Sequence, residues 1–229
     1  MSHQYPYQRP ALATDIVVFA VDAADLKVML IRRGIAPFEN EWALPGGFVR
    51  IDESVEAAAN RALNEETGLR DVFLEQLFTF GDVDRDPSTR VVSVAYFALV
   101  NVAGRWCAAG TDAKQAAWFS ISDVPQLAFD HRIILDKSYR RLQDKLRYQP
   151  IGFELLPEKF PLRALQHVYE VVLDRRLDKR NFRKKILSYD FVVSTDEAEQ
   201  NVAHRAAQLF RFDKKKYDRW TKKGLNFEL

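Results

Sequence analysis

A single cysteine, Cys107, in 229 residues leaves no internal disulfide and no cysteine-rich zinc site. No apolar run approaches the ~20 residues that a membrane-spanning helix needs. The opening stretch MSHQYPYQRP is neither a basic-then-apolar secretory leader nor an arginine-rich amphipathic one. These absences imply a cytoplasmic protein with no membrane partner. No internal repeat is evident. The chain is not short of core-forming residues: 47% are hydrophobic and 16 are Phe, which excludes wholesale disorder.

The length fits one domain of about 150 residues plus a smaller one. Tyr148-Gln149-Pro150-Ile151-Gly152 is the natural boundary, because a proline and a glycine coincide there with a change of charge balance. Residues 1–149 carry 17 Lys/Arg against 20 Asp/Glu, and residues 150–229 carry 17 against 12, so a net −3 is followed by a net +5. A polyanionic partner would therefore meet the second domain.

The first domain is organised around GGFVRIDESVEAAANRALNEETGL, residues 46–69. The pair Gly46-Gly47 permits close backbone approach to a ligand. Asp52 or Ser54 can cap the helix that follows, Ala57 to Ala59 favour it, and Gly68 can end it. Arg61 and Glu65 share a face at i,i+4, Glu65 and Glu66 offer adjacent carboxylates to a hard cation, and Glu53 can turn back toward the same place.

Before this stretch, Ala13 to Val21 and Lys27 to Arg32 read as a strand hairpin. Arg32 and Arg33 are either phosphate contacts or a solvated strand end. Trp42 is either a core residue or a stacking surface. After it, Phe73 to Phe80 and the apolar run Val91 to Val100 read as strands joined by the polar loop GDVDRDPSTR, where Arg85 and Arg90 suit a diphosphate. Gly104 to Gly110 reads as a turn, Trp118-Phe119 as the end of a short strand, and Phe129 to Leu146 as an amphipathic helix. His131, near its start, reads as a surface or capping residue that could reach a ligand.

In the second domain a helix is expected from Pro161, with Leu162, Leu165, Tyr169 and Leu173 forming one buried stripe. LDKRNFRKKILSY, residues 177–189, predicts a second helix capped by Asp178 and stapled by Leu177 and Phe182. Phe182 and Ile186 anchor its inner side. Lys179 with Arg183, and Arg180 with Lys184, make the other side a basic ridge. Like charges at i,i+4 cost roughly 0.2–0.5 kcal/mol per pair. Neutralised DNA phosphates would offset that cost, with Arg180 and Asn181 able to reach base edges. Residues 191–193 and 209–212 are expected to pair as a wing, 195–207 to form a loop or short helix, and 213–226 a basic tail or helix.

Gly47, Glu53, Arg61, Leu63, Glu65, Glu66, Gly68 and Leu69 fall in register with the Nudix box, to which this stretch is similar. The exception is Ala62, where that family has a glutamate. The family's last two glutamates hold magnesium, which places an optional Mg2+ at Glu65 and Glu66. Ala62 can serve neither as ligand nor as general base, so the resemblance implies a pocket that binds more than it cleaves, with no catalytic residue assigned. Asp82, Asp84 and Asp86 are the loop carboxylates that could substitute.

FTFG followed by DRDP and VVSVAY resembles the Nudix subgroup that handles ADP-ribose. Together with LQxVYE, LDKRNFRKK and FRFD, the whole chain resembles the Nudix-related transcriptional regulators of NAD metabolism. The resemblance implies an α+β chain, a Nudix α/β/α sandwich with a mixed sheet followed by a winged helix-turn-helix. It also implies a homodimeric repressor on a palindromic DNA operator, with ADP-ribose as effector and no required cofactor. The expected ligand residues are Arg32, Trp42, Gly46, Gly47, Phe48, Arg85 and Arg90, and the expected DNA residues are Lys179, Arg180, Asn181, Arg183 and Lys184. A metal-dependent ADP-ribose pyrophosphatase and an RNA-binding Nudix protein are the alternatives.

Overall fold

A computed structural model describes residues 7–22, 25–101, 113–200, 206–224 and 227–228, so the expected turn with Trp106 and Cys107 lies outside the described residues. The chain forms two compact units. The first comprises Met1–Phe19, Lys27–Leu99 and Trp106–Ser138; the second comprises Ala20–Leu26, Val100–Arg105 and Tyr139–Leu229.

In the first part of the chain the elements are β1 (Ala11–Val21), β2 (Leu26–Arg33), β3 (Trp42–Ala43), β4 (Gly46–Phe48), α1 (Val55–Thr67), β5 (Phe73–Phe80), β6 (Val91–Val100), β7 (Ala113–Ser120) and α2 (His131–Tyr148). The strands form one mixed-connection sheet in the order β3-β2-β1-β6-β5, with β4 on β1 and β7 on β2. Ile16 to Ala20 and Ala95 to Ala98 are almost wholly inaccessible, and their unbroken apolar runs are what strands covered on both faces require. α1 begins where the Ser54 side chain accepts the Ala57 N–H at 3.1 Å. It stops at Gly68, which takes the left-handed conformation at φ 73° and returns its N–H to Asn64 O.

The second part contains β8 (Phe160–Pro161), α3 (Leu162–Leu173), α4 (Lys179–Leu187), β9 (Val192–Ala198), β10 (Gln208–Phe212) and α5 (Lys214–Lys222). A three-stranded sheet in the order β8-β10-β9 accompanies the helices, with Phe210 opposite Ser194 and Phe212 opposite Val192. This is a winged helix: two helices, the second capped and amphipathic, followed by a hairpin. Leu165, Tyr169, Val172, Phe182, Ile186, Phe191 and Phe210 close its core. Tyr169 and Phe182 meet edge to face at 5.7 Å, which fixes α4 on α3.

Several local expectations are corrected here. Pro161 does not open α3 as a first-turn residue; it precedes the helix, on β8 opposite Leu209, at a sheet edge where its missing N–H is harmless. The stretch after Thr195 is strand as far as Ala198, and the ladder continues through the Glu199 N–H to Ala207 O bond at 2.9 Å. Of the two readings of the basic C-terminal stretch, helix is the one realised. Asp213 caps α5 by accepting the Lys216 N–H at 3.1 Å, and that bond holds its carboxyl below the usual range.

Candidate functional site

The glycine loop forms the wall of a cavity in the first unit. A cavity of about 210 Å3 is lined by Gly46, Gly47 and Phe48 of β4, Ile31 and Arg33 of β2, Glu66 of α1, Arg85 and Asp86 of the β5–β6 loop, and Phe129 and His131 near the start of α2. Gly46 lies against β1 so closely that a Cβ would stand 2.3 Å from Thr14 O. Gly46→Ala therefore has to push β4 off β1, and we expect a loss of about 1–3 kcal/mol, as for other overpacked sites, measured by thermal unfolding. The Gly46 N–H is held by Glu66 Oε2 at 2.7 Å, so this carboxylate shapes the loop.

Glu65 faces other partners. Arg61 donates to Glu65 at 2.9 Å, to Glu53 through Nε at 2.9 Å and Nη2 at 2.6 Å, and to Phe48 O at 3.0 Å. One guanidinium thus ties α1 to both the preceding turn and the glycine loop. Its hydrogen bonds to Glu53 hold that carboxyl down at about 2, with the Arg50 N–H assisting. Glu65 also lies 3.6 Å from Arg50. Among the described residues no three His, Cys, Asp or Glu side chains form a metal-binding group; Glu65 and Glu66 are the two carboxylates that would hold a divalent cation, and as folded Glu65 meets Arg61 and Glu66 the Gly46 N–H. Ala62 is 2% exposed, and a Cβ on Gly47 would stand 3.8 Å from its methyl group; the place of the missing glutamate faces the glycine loop.

One wall of the cavity belongs to a buried ionic network whose members are distant in sequence. Arg85 grips Asp130 with two bonds, 3.0 and 2.7 Å, and reaches Asp15 at 3.0 Å. Asp15 also accepts from Ser93 Oγ at 2.6 Å and lies 3.3 Å from His131 Nε2. His131 is buried, against the expectation of a surface or capping role. Its Nδ1 accepts the Leu44 N–H at 2.9 Å, which leaves the proton on Nε2 facing Asp15 and pins the residue that leads into the glycine loop. Burial opposes the charge on Asp15, but His131, Arg85 and Ser93 together keep its carboxyl well below the ordinary range.

The remaining expected ligand residues are distributed differently. Arg85 borders the cavity with its guanidinium engaged by two carboxylates. Arg90 donates to Gly81 O at 2.8 Å, Asp82 O at 3.1 Å and Val91 O at 3.2 Å, and so closes the β5–β6 loop. Arg32 donates to Asn40 O, and Trp42 packs edge to face on Phe119 at 4.8 Å; neither lines the cavity. Arg33 does line it, with its guanidinium carbon 4.7 Å from the Phe129 ring centre and Nε on Pro37 O. Ile31 and Arg33 line the cavity and Arg32 does not, at a step where the β2–β7 pairing shifts register. The sequence signal was the pair; register made the choice.

In the second unit, α4 has the form expected of a nucleic-acid reader. Asp178 Oδ1 accepts the Asn181 N–H at 2.8 Å, Phe182 and Ile186 are buried, and Lys179, Arg180, Asn181, Arg183 and Lys184 are all exposed. Arg180 and Lys184 lie on the side of the helix opposite the buried pair.

Residues 10–142 match the NUDIX domain family and residues 152–212 the NrtR DNA-binding winged helix domain. The ADPR-responsive transcriptional repressor NtrR of Acinetobacter baylyi is 36% identical over 216 residues, which span 93% of this chain and 86% of that protein. An ADP-ribose pyrophosphatase of Methanocaldococcus jannaschii is 41% identical over 135 residues, 59% of this chain and 76% of that one. The crystal structure of Shewanella oneidensis NrtR complexed with a 27mer DNA is similar with a TM-score of 0.78 at 30% identity, over 94% of this chain and 97% of the other. With a Nudix domain leading into a winged helix and relatives matched along nearly its whole length, the chain belongs to the NrtR family of DNA-binding transcriptional regulators.

Proposed function

We propose that this regulator represses genes of NAD metabolism and that its Nudix domain senses ADP-ribose instead of hydrolysing it efficiently. The observation that carries the DNA half is α4: six exposed polar side chains, five of them cationic, stand on a short helix anchored by Phe182 and Ile186. Two copies related by a two-fold axis would offer two such helices to a palindromic operator. Support for the effector half comes from the ADPR-responsive relative and from a cavity bounded by the glycine loop, Arg33 and Phe129. Effector binding shifts DNA affinity only through a difference between the two states in their affinity for it.

The test is a mobility shift on DNA upstream of neighbouring genes, with and without ADP-ribose. The expected result is a shifted band that ADP-ribose releases. No shift on any such fragment, together with rapid conversion of ADP-ribose and water to AMP and ribose 5-phosphate, would sink the reading in favour of a pyrophosphatase. The pyrophosphatase relative favours that second reading for the Nudix half. Against it stands Ala62, since general-base assistance is typically worth about 100-fold to 10,000-fold. Ala62→Glu adds a third carboxylate beside Glu65 and Glu66, and in magnesium it should raise AMP release by at least about 100-fold. An unchanged rate in a folded variant would show that position 62 does not limit the chemistry.

A further inference from the structure

α4 is flanked by two grooves of different make. On one side, a groove of about 620 Å3 between α3, α4 and β10 is lined by Arg163, Lys179, Arg183 and Gln208. On the other, a groove of about 870 Å3 between α4 and the last turn of α2 is lined by Arg147, Tyr148, Asn181, Lys184, Lys185 and Ser188. Lys179 and Arg183 lie opposite Asn181, Lys185 and Ser188 on a wheel of 3.6 residues per turn, so the grooves run along opposite flanks of one helix. A helix with side chains is about 10–12 Å across and the major groove of B-DNA about 12 Å wide. A helix seated there has a sugar-phosphate strand rising on each side of it.

We propose that the α2–α4 groove is the seat of one of those strands, with Arg147 and Lys185 as phosphate contacts and the Tyr148 ring against a deoxyribose. The inference rests on the DNA-reading role of α4 and extends it to an element outside the helix-turn-helix. Its chemistry matches the backbone: the lining combines Leu177, Phe182 and Tyr148, which suit sugar faces, with the cations Arg147, Lys184 and Lys185. The two carboxylates at the groove are Asp178 and Glu228. Asp178 is turned onto the Asn181 N–H, and the backbone N–H and carbonyl of Glu228 engage the Tyr189 hydroxyl, which fixes Glu228 beside the groove.

The last turn of α2 shows the same division. Lys145 is buried and donates to Gln149 at 3.1 Å, as befits a cation that serves the fold. Arg147 is 59% exposed and lies 3.8 Å from Asp144, an exposed pairing of the kind that contributes little. Tyr148 is 45% exposed, unusual for a large ring whose neighbours Leu146 and Ile151 are buried. Both sit where a strand passing α4 would run.

The experiment uses the full chain and a mixed-sequence duplex of about three helical turns, because phosphate contacts do not depend on sequence. Affinity is measured by fluorescence anisotropy between about 50 and 200 mM salt. Arg147→Ala and Lys185→Ala should each weaken binding about 3- to 10-fold and lower the slope of log K against log salt by about one, with the thermal midpoint unchanged. Arg147→Lys should keep the slope. If the double variant binds like the parent at every salt concentration while Lys179→Ala with Arg183→Ala, on the opposite flank, binds weakly, the groove is not a strand seat but α4 still reads DNA. If neither pair changes binding, both the groove assignment and the role of α4 are overturned.

Discussion

Replacing Arg183 and Lys184 together by alanine lowers affinity for duplex DNA by roughly 50-fold near 0.1 M salt and reduces the salt slope by about two. The expectation follows from exposure and from what the fold leaves these cations to do. Both side chains are exposed on α4, while the anchoring of the helix is carried by Phe182 and Ile186 and by the Asp178 cap. Each stands four residues from another cation, Lys179 and Arg180 respectively, an arrangement that disfavours the isolated helix. Removing them relieves that repulsion, so the folded protein should be as stable as the parent or slightly more so. Loss of binding on specific and non-specific sequences alike would mark phosphate contacts. A loss confined to one sequence would mark base contacts, which we assign to Arg180 and Asn181. Salt titrations with both kinds of duplex separate the two, and an undiminished slope would remove Arg183 and Lys184 from the interface.

Arg85→Ala should cost about 3–5 kcal/mol of stability, the usual cost of breaking a buried ion pair from one side. The guanidinium side chain is 5% exposed and is shared by Asp15 and Asp130, themselves 10% and 13% exposed, so water cannot replace it cheaply. The pH dependence gives a second readout. Asp15 has its folded carboxyl held below the unfolded value, so the stability it contributes is complete above about pH 4 and is lost as the pH falls further toward the folded value. Without Arg85 the folded carboxyl rises toward the unfolded value, and acid unfolding of the variant should begin at higher pH than in the parent. Thermal unfolding from pH 7 to pH 3 checks both. If Arg85→Ala is as stable as the parent but loses ADP-ribose, the residue is a diphosphate contact and not the keystone of the buried network.

The two arginines of the loop show why the sequence supports a pocket better than it supports its contents. Arg85 and Arg90 stand in a polar loop between strands, which is where a diphosphate cation belongs, yet one is taken up by two carboxylates and the other by three carbonyls. Nothing local distinguishes a cation reserved for a ligand from one used by the fold, because the deciding partners are distant: Asp15 is 70 residues from Arg85 and Asp130 is 45. The burial of His131, which lines the cavity, has the same kind of cause. Its neighbours in sequence suggest a helix start, whereas its hydrogen bonds reach to Leu44, 87 residues away, and to Asp15. The alternation of β2 likewise admitted either Arg32 or Arg33 until its pairing with β3 and β7 was known.

The amino-acid order alone determined the elements whose causes are local. These are α1 as far as Gly68, α4 with its Asp178 cap and basic ridge, β6 as a nearly continuous apolar run, and the alignment of the Nudix box that exposes Ala62 as its departure. Each follows from caps, periodicity and residue spacing within a few turns of chain. Tertiary structure alone decided which charges face the cavity, which are spent holding β1, the β5–β6 loop and α2 together, and that α4 lies between two grooves. Those outcomes depend on burial and on partners brought together from far along the chain, and desolvation acts only once the chain has folded.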